Sequence, residues 1–75
     1  MSKRPSISFR DFIAQIKELG FIPVRRKGSH IRFEHEDGRK TTVPDHGSQD
    51  VPVGLMMKII RHDLEMDVAE FFEEK

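Results

Sequence analysis

The chain has 75 residues, 36% of them hydrophobic, with no cysteine and a formal net charge of zero. That length holds one domain with a single small core, because a chain of this size buries only about 60% of its unfolded surface. Without thiols there is no disulfide framework, cysteine nucleophile or zinc–thiolate site, and no apolar run approaches the roughly 18 residues of a membrane span.

Residues 1–6 are expected to form a flexible N-terminus, and Met1 to Pro5 lacks the apolar core of a signal peptide. The chain reads as one cytoplasmic domain over residues 1–75. Ser8-x-x-Asp11 reads as a helix cap with an acid in the first turn. Phe9, Phe12, Ile13, Ile16 and Leu19 then recur at helical spacing, and Gly20 sits where a C-terminal glycine belongs.

Three strand-like runs follow. Phe21 to Arg26 contains Pro23, which suits an edge strand. Lys27-Gly28 is expected to turn the chain. His30 to His35 alternates, with Ile31 and Phe33 on one face and His30, Arg32 and Glu34 on the other. Asp37-Gly38 signals a second hairpin. In Lys40 to Pro44, Thr41 and Val43 alternate against Lys40 and Thr42. Period two therefore predicts that Ile22, Val24, Ile31, Phe33 and Val43 face one core. His30, Arg32, Lys40 and Thr42 fall on the opposite, open face.

Asp45 to Asp50 is a polar loop. Pro52 opens a second helix whose apolar face is Leu55, Met56, Ile59 and Ile60, and His62-Asp63 ends it. Asp67-x-x-Glu70 caps a short last helix that buries Val68, Phe71 and Phe72. The predicted fold class is α+β, with order α-β-β-β-α, a short extra C-terminal helix and helices on one face of a three-stranded antiparallel sheet.

The neutral total hides an asymmetry. Residues 1–40 hold 10 Lys/Arg and 5 Asp/Glu, whereas residues 41–75 hold 3 and 8. Arg25 to Lys40 alone carries 6 cations against 3 anions. Such a local patch can bind phosphate, although charged hairpins also occur simply as solvated surface.

Gly28-Ser29-His30 stands at the centre of this patch. Imidazole titrates near pH 6.5 and is the natural general acid or base. His30 could take the proton of a ribose 2′-OH or protonate a leaving 5′-oxygen. Arg25, Arg26, Lys27, Arg32 and the backbone N–H groups of Gly28 and Ser29 could hold the phosphate. The competing reading is a hairpin turn with a surface histidine. His46 could approach His30 across the sheet and assist, or be an ordinary loop histidine. His35 reads as partly buried and structural, and His62 as a helix-end histidine. No histidine pair has zinc-like helical spacing, and there is no phosphate-binding loop or dinucleotide fingerprint, so neither metal nor cofactor is expected. Ser29 is badly arranged to be a nucleophile activated by its neighbour. The six Phe fall mostly on core faces, which disfavours recognition by base stacking.

Leu19-Gly20-Phe21, Arg25-Arg26-Lys27-Gly28-Ser29-His30, Asp37-Gly38-Arg39 and Val43-Pro44-Asp45-His46, in that order, resemble the HicA family of bacterial and archaeal toxins. The resemblance runs from about Phe9 to Phe72. It implies a fold like the double-stranded-RNA-binding domain and an mRNA interferase, the toxin of a type II toxin–antitoxin pair. It also implies neutralisation by a HicB-type antitoxin and a catalytic histidine at the position of His30. From the residues alone, a non-catalytic RNA-binding module and a protein-interaction domain remain open. They would differ from the enzyme in RNA cleavage and in RNA retention at low salt.

Overall fold

The computed structural model describes residues 6–73. Most of the expected flexible N-terminus lies outside that range; Ser6, within it, donates its hydroxyl to an Asp50 carboxylate oxygen at 3.1 Å.

Helix α1 spans Phe9–Glu18 and buries Phe9, Phe12, Ile13 and Ile16. Ser8 caps it, its Oγ accepting the Asp11 N–H at 3.1 Å. Two further N–H groups of the first turn are satisfied from a distant loop: Phe9 donates to the Gln49 carbonyl and Arg10 to that of Gly47. An α-helix leaves its first N–H groups without intrahelical partners, so loop 45–50 docks where those donors point. Gly20 follows the C-cap at φ +102°, and a Cβ there would meet His35 Nε2 at 2.9 Å. Only glycine fits both the conformation and the space.

The sheet comprises β1 (Ile22–Lys27), β2 (His30–Glu34) and β3 (Lys40–Pro44), antiparallel in the order β1-β2-β3. β1 is an edge, as Pro23 suggests. On β2 and β3 the alternation holds: Ile31, Phe33, Thr41 and Val43 are buried, and His30, Arg32, Lys40 and Thr42 are exposed. The expectation for β1 is corrected. Ile22 and Val24 are not in the core but 62% and 51% exposed. Phe21 takes the core position at 2% exposure, so Ile22 must point the other way. The register then shifts between Pro23 and Arg25, leaving Val24 as the extra residue of a bulge. The bulge resets the phase and places Arg25 opposite Arg32 and Lys27 opposite His30.

The second helix is also more divided than its apolar spacing suggests. α2 covers Val53–Lys58, and Ile59–Asp63 continues as a π-helical turn. The wider turn carries a Leu64 N–H to Ile59 C=O bond at 2.9 Å and leaves Ile59, Ile60 and Leu64 all buried. It also delivers Asp63 to the buried Thr41, whose hydroxyl donates to it at 2.9 Å. α3 (Val68–Glu73) buries Phe71, with Val68 and Phe72 partly covered. At its start the Asp67 N–H donates to the Glu70 carboxylate at 3.1 Å. The core lies between the helices and one sheet face, and the layout is the α+β, α-β-β-β-α arrangement predicted.

Candidate active site

The site is built on the β1–β2 hairpin. Lys27 pairs with His30, so the two turn residues are Gly28 and Ser29 rather than Lys27 and Gly28. Gly28 has φ +60° while Ser29 is not left-handed, the pattern of a type II′ turn. A Cβ on Gly28 would meet nothing within 4 Å, so conformation alone selects glycine there. The turn delivers His30 to the first position of the central strand with its side chain on the open face.

Cross-strand partners share a face, and the register orders this one in three rows. The first is Lys27–His30–Pro44, the second Arg25–Arg32–Thr42, the third Ile22–Glu34–Lys40. All these residues are exposed except Glu34 and Pro44, which are half-buried. Arg25 and Arg32 stand directly opposite each other, an arrangement that disfavours folding and favours an anion between them. The carboxylate on this face, Glu34, is ion-paired with Arg32, Oε2 to Nε 3.6 Å, and faces Lys40 across the ladder. Lys27, opposite His30, and Arg25 make no ion pair among the described residues. Lys40 joins the face, although motif reading did not number it among the site residues.

Arg26 occupies a different place. Its cross-strand partner is the buried Ile31, so it leaves the sheet on the helix side. Its Nε donates to the Gly28 carbonyl at 3.0 Å, and its Nη1 lies 3.8 Å from Asp45 Oδ2. Asp45, not counted among the site residues from sequence, also donates its N–H to the Ser29 carbonyl at 2.7 Å. The sequence cue to it is its place in the Val43-Pro44-Asp45-His46 segment, directly after Pro44, the residue opposite His30.

The remaining histidines are turned elsewhere. The His46 ring packs edge-on against Phe9, at 5.0 Å between centroids, within the loop that caps α1. It lies on the helix side while His30 lies on the open face, and the structure does not bring the two together. His35 Nε2 bonds the Leu19 carbonyl and Nδ1 accepts the Asp37 N–H, each at 3.1 Å, with the ring edge-on to Phe21. That histidine fastens the far end of the hairpin to the end of α1. His62 is exposed in the π-helical turn. Among the described residues no three His, Asp or Glu side chains converge to hold a metal ion, and no helix is long and apolar enough to cross a membrane.

A family model described as the HicA toxin of bacterial toxin–antitoxin systems matches residues 9–63. That match takes in α1, the whole sheet, loop 45–50 and the helix through its π-helical turn. The chain belongs to the HicA toxin family. It is therefore a toxin of the toxin–antitoxin kind, and the family assignment carries an RNA-cleaving activity with it at the level of the family. A search of curated proteins returned no match. The matched span contains every site residue discussed above.

Proposed function

We propose that this HicA-family toxin is an endoribonuclease in which His30 is the general acid/base, that its substrate is mRNA in the cytoplasm, and that a HicB-type antitoxin neutralises it. The observation that supports this reading is the face itself. One histidine stands exposed on it, delivered by a glycine turn, with Lys27 beside it and Arg25 and Arg32 in the next row.

The chemistry follows from those groups. Unprotonated His30 takes the proton of a ribose 2′-OH. The oxygen attacks the adjacent phosphorus, a 2′,3′-cyclic phosphate forms, and the 5′-oxygen leaves with a proton supplied by the histidinium or by water. Lys27, Arg25 and Arg32 hold flanking phosphates, and the Gly28 and Ser29 amides offset the charge that grows on the phosphoryl oxygens. His46, committed to Phe9, has no direct part in this scheme.

The test uses a long single-stranded RNA and its 2′-O-methyl counterpart. Cleavage of the first to 2′,3′-cyclic phosphate ends, with resistance of the second, is the expected result. Equal cutting of both would exclude the 2′-OH as nucleophile. Binding of the unmodified RNA without cleavage would leave an RNA-binding module in place of an enzyme.

A further inference from the structure

The turn that presents His30 is held by two contacts beyond the β1–β2 ladder: the Arg26 side chain, and the Asp45 N–H, which continues the β2–β3 ladder by one rung. A two-residue hairpin turn has two central carbonyls that its own two strands leave unpaired. Here both are taken by protein groups. The Gly28 carbonyl accepts from Arg26 Nε at 3.0 Å, and the Ser29 carbonyl accepts from the Asp45 N–H at 2.7 Å. The two donors are joined in turn, with Arg26 Nη1 3.8 Å from Asp45 Oδ2. The other carboxylate oxygen of Asp45 accepts the Gly47 N–H at 3.1 Å, which fixes that loop.

Stability alone is a weak reason for this arrangement. The ion-paired side chains are 55% and 33% exposed, and pairs so placed contribute about 0–1 kcal/mol. Orientation is the better one. Every described peptide is trans, so the Ser29 N–H points opposite to the Gly28 carbonyl. Arg26 draws that carbonyl toward the helix side. The Ser29 N–H is thereby aimed at the open face, where Lys27 and His30 stand.

We infer that Arg26 and Asp45 are positioning residues for the RNA-cleaving site: together they lock the Gly28–Ser29 peptide so that His30 and the Ser29 N–H meet one phosphate. Arg26 thus serves the site without being a phosphate contact. The inference rests on the reading of His30 as acid/base. A preorganised donor is worth most in the transition state, so the lock acts on kcat and not on RNA affinity.

The experiment compares Arg26→Gln, Arg26→Lys, Asp45→Asn and the double variant Arg26→Gln/Asp45→Asn with wild type, alongside Lys27→Gln as a phosphate-contact reference. Three quantities are read: kcat and KM for RNA cleavage, the salt dependence of RNA binding, and backbone ¹⁵N relaxation of the free proteins. Arg26→Gln and Asp45→Asn are expected to lower kcat roughly 10- to 100-fold, as a small misplacement does, with KM and the salt slope unchanged. The double variant is expected to be no slower than the worse single, because the pair acts as a unit. Arg26→Lys keeps the charge but lacks the Nε donor, and is expected to behave like Arg26→Gln. The amides of residues 28–30 are expected to gain motion while the rest of the spectrum holds. A raised KM with a shallower salt slope, as expected of Lys27→Gln, would make Arg26 a phosphate contact and overturn the inference. So would an unchanged kcat, or a turn that stays rigid in both single variants. If wild type cleaves no RNA although the turn loosens in Arg26→Gln, the fault lies with the acid/base reading and the lock remains only as a turn device.

Discussion

The ionic-strength dependence of RNA binding can be worked out from the register of the sheet. The open face presents Arg25, Lys27, Arg32 and Lys40, with Glu34 as the opposing charge beside Arg32 and Lys40. That leaves a net of three cations for phosphate. For single-stranded RNA, log K falls against log salt with a slope of about −0.7 per neutralised phosphate, hence about −2 here. Affinity should fall roughly 20-fold between 50 and 200 mM salt. Arg32→Gln should reduce the slope to about −1.4, whereas Glu34→Gln, which releases a cation, should steepen it to about −2.8. The assay is a fluorescence-anisotropy titration of labelled 2′-O-methyl RNA with His30→Ala protein, so that no substrate is cut during the measurement. A slope near zero, or one that neither variant moves, would refute the assignment of RNA to this face.

Three further predictions concern the fold that carries the site. Phe21→Ala should destabilise by about 3–5 kcal/mol and Ile22→Ala by under about 0.5 kcal/mol in urea unfolding. Similar losses at both would mean that β1 lacks its bulge. Glu65 follows the π-helical turn at φ +56°, where the left-handed region penalises any side chain. Glu65→Gly should therefore stabilise by about 1 kcal/mol, a rise in Tm of roughly 4–8 °C, and a fall in Tm would contradict this. The Asp37 carboxyl is held below its ordinary value, first by the Arg39 side chain and then by the Arg39 N–H. A depressed folded pKa stabilises above the unfolded value near 3.9 and is lost as pH falls through the folded one. The urea midpoint difference between wild type and Asp37→Asn should thus be constant from pH 5 to 7 and shrink below about pH 4. A pH-independent difference would count against that ion pair.

Much of the fold is legible in the chain because its signals are local. The stripe from Phe9 to Leu19, the Ser8 cap and Gly20 define α1 without help from any distant residue. Alternation along His30 to Glu34 and Lys40 to Pro44 puts His30 and Arg32 on the open face. The phase of β1 is not legible, because Phe21, Ile22 and Val24 are all apolar and a bulge leaves no residue signature of its own. The place of His46 depends on carbonyls of Gly47 and Gln49 capping a helix that starts about 40 residues earlier in the chain, a match between backbone groups that no side-chain pattern announces. The π-helical turn at Ile59 is hidden for the same reason. At the site, the basic run Arg25-Arg26-Lys27 is plain, but its division is not. Two of its members stand on the open face and Arg26 goes behind the turn, which follows only from the register after the bulge. The role of His30 rests on its motif and family as much as on its exposure, since an exposed imidazole on a basic hairpin is not by itself an enzyme.

The central claim is therefore best tested at that one imidazole. Wild-type protein and His30→Ala are incubated at equal concentration with the same single-stranded RNA, and single-turnover cleavage rates are compared after thermal melts show that both are folded. His30→Ala is expected to lose at least about 100-fold in rate, the range of general acid–base catalysis, with RNA binding retained. Cleavage at the wild-type rate by folded His30→Ala would contradict it.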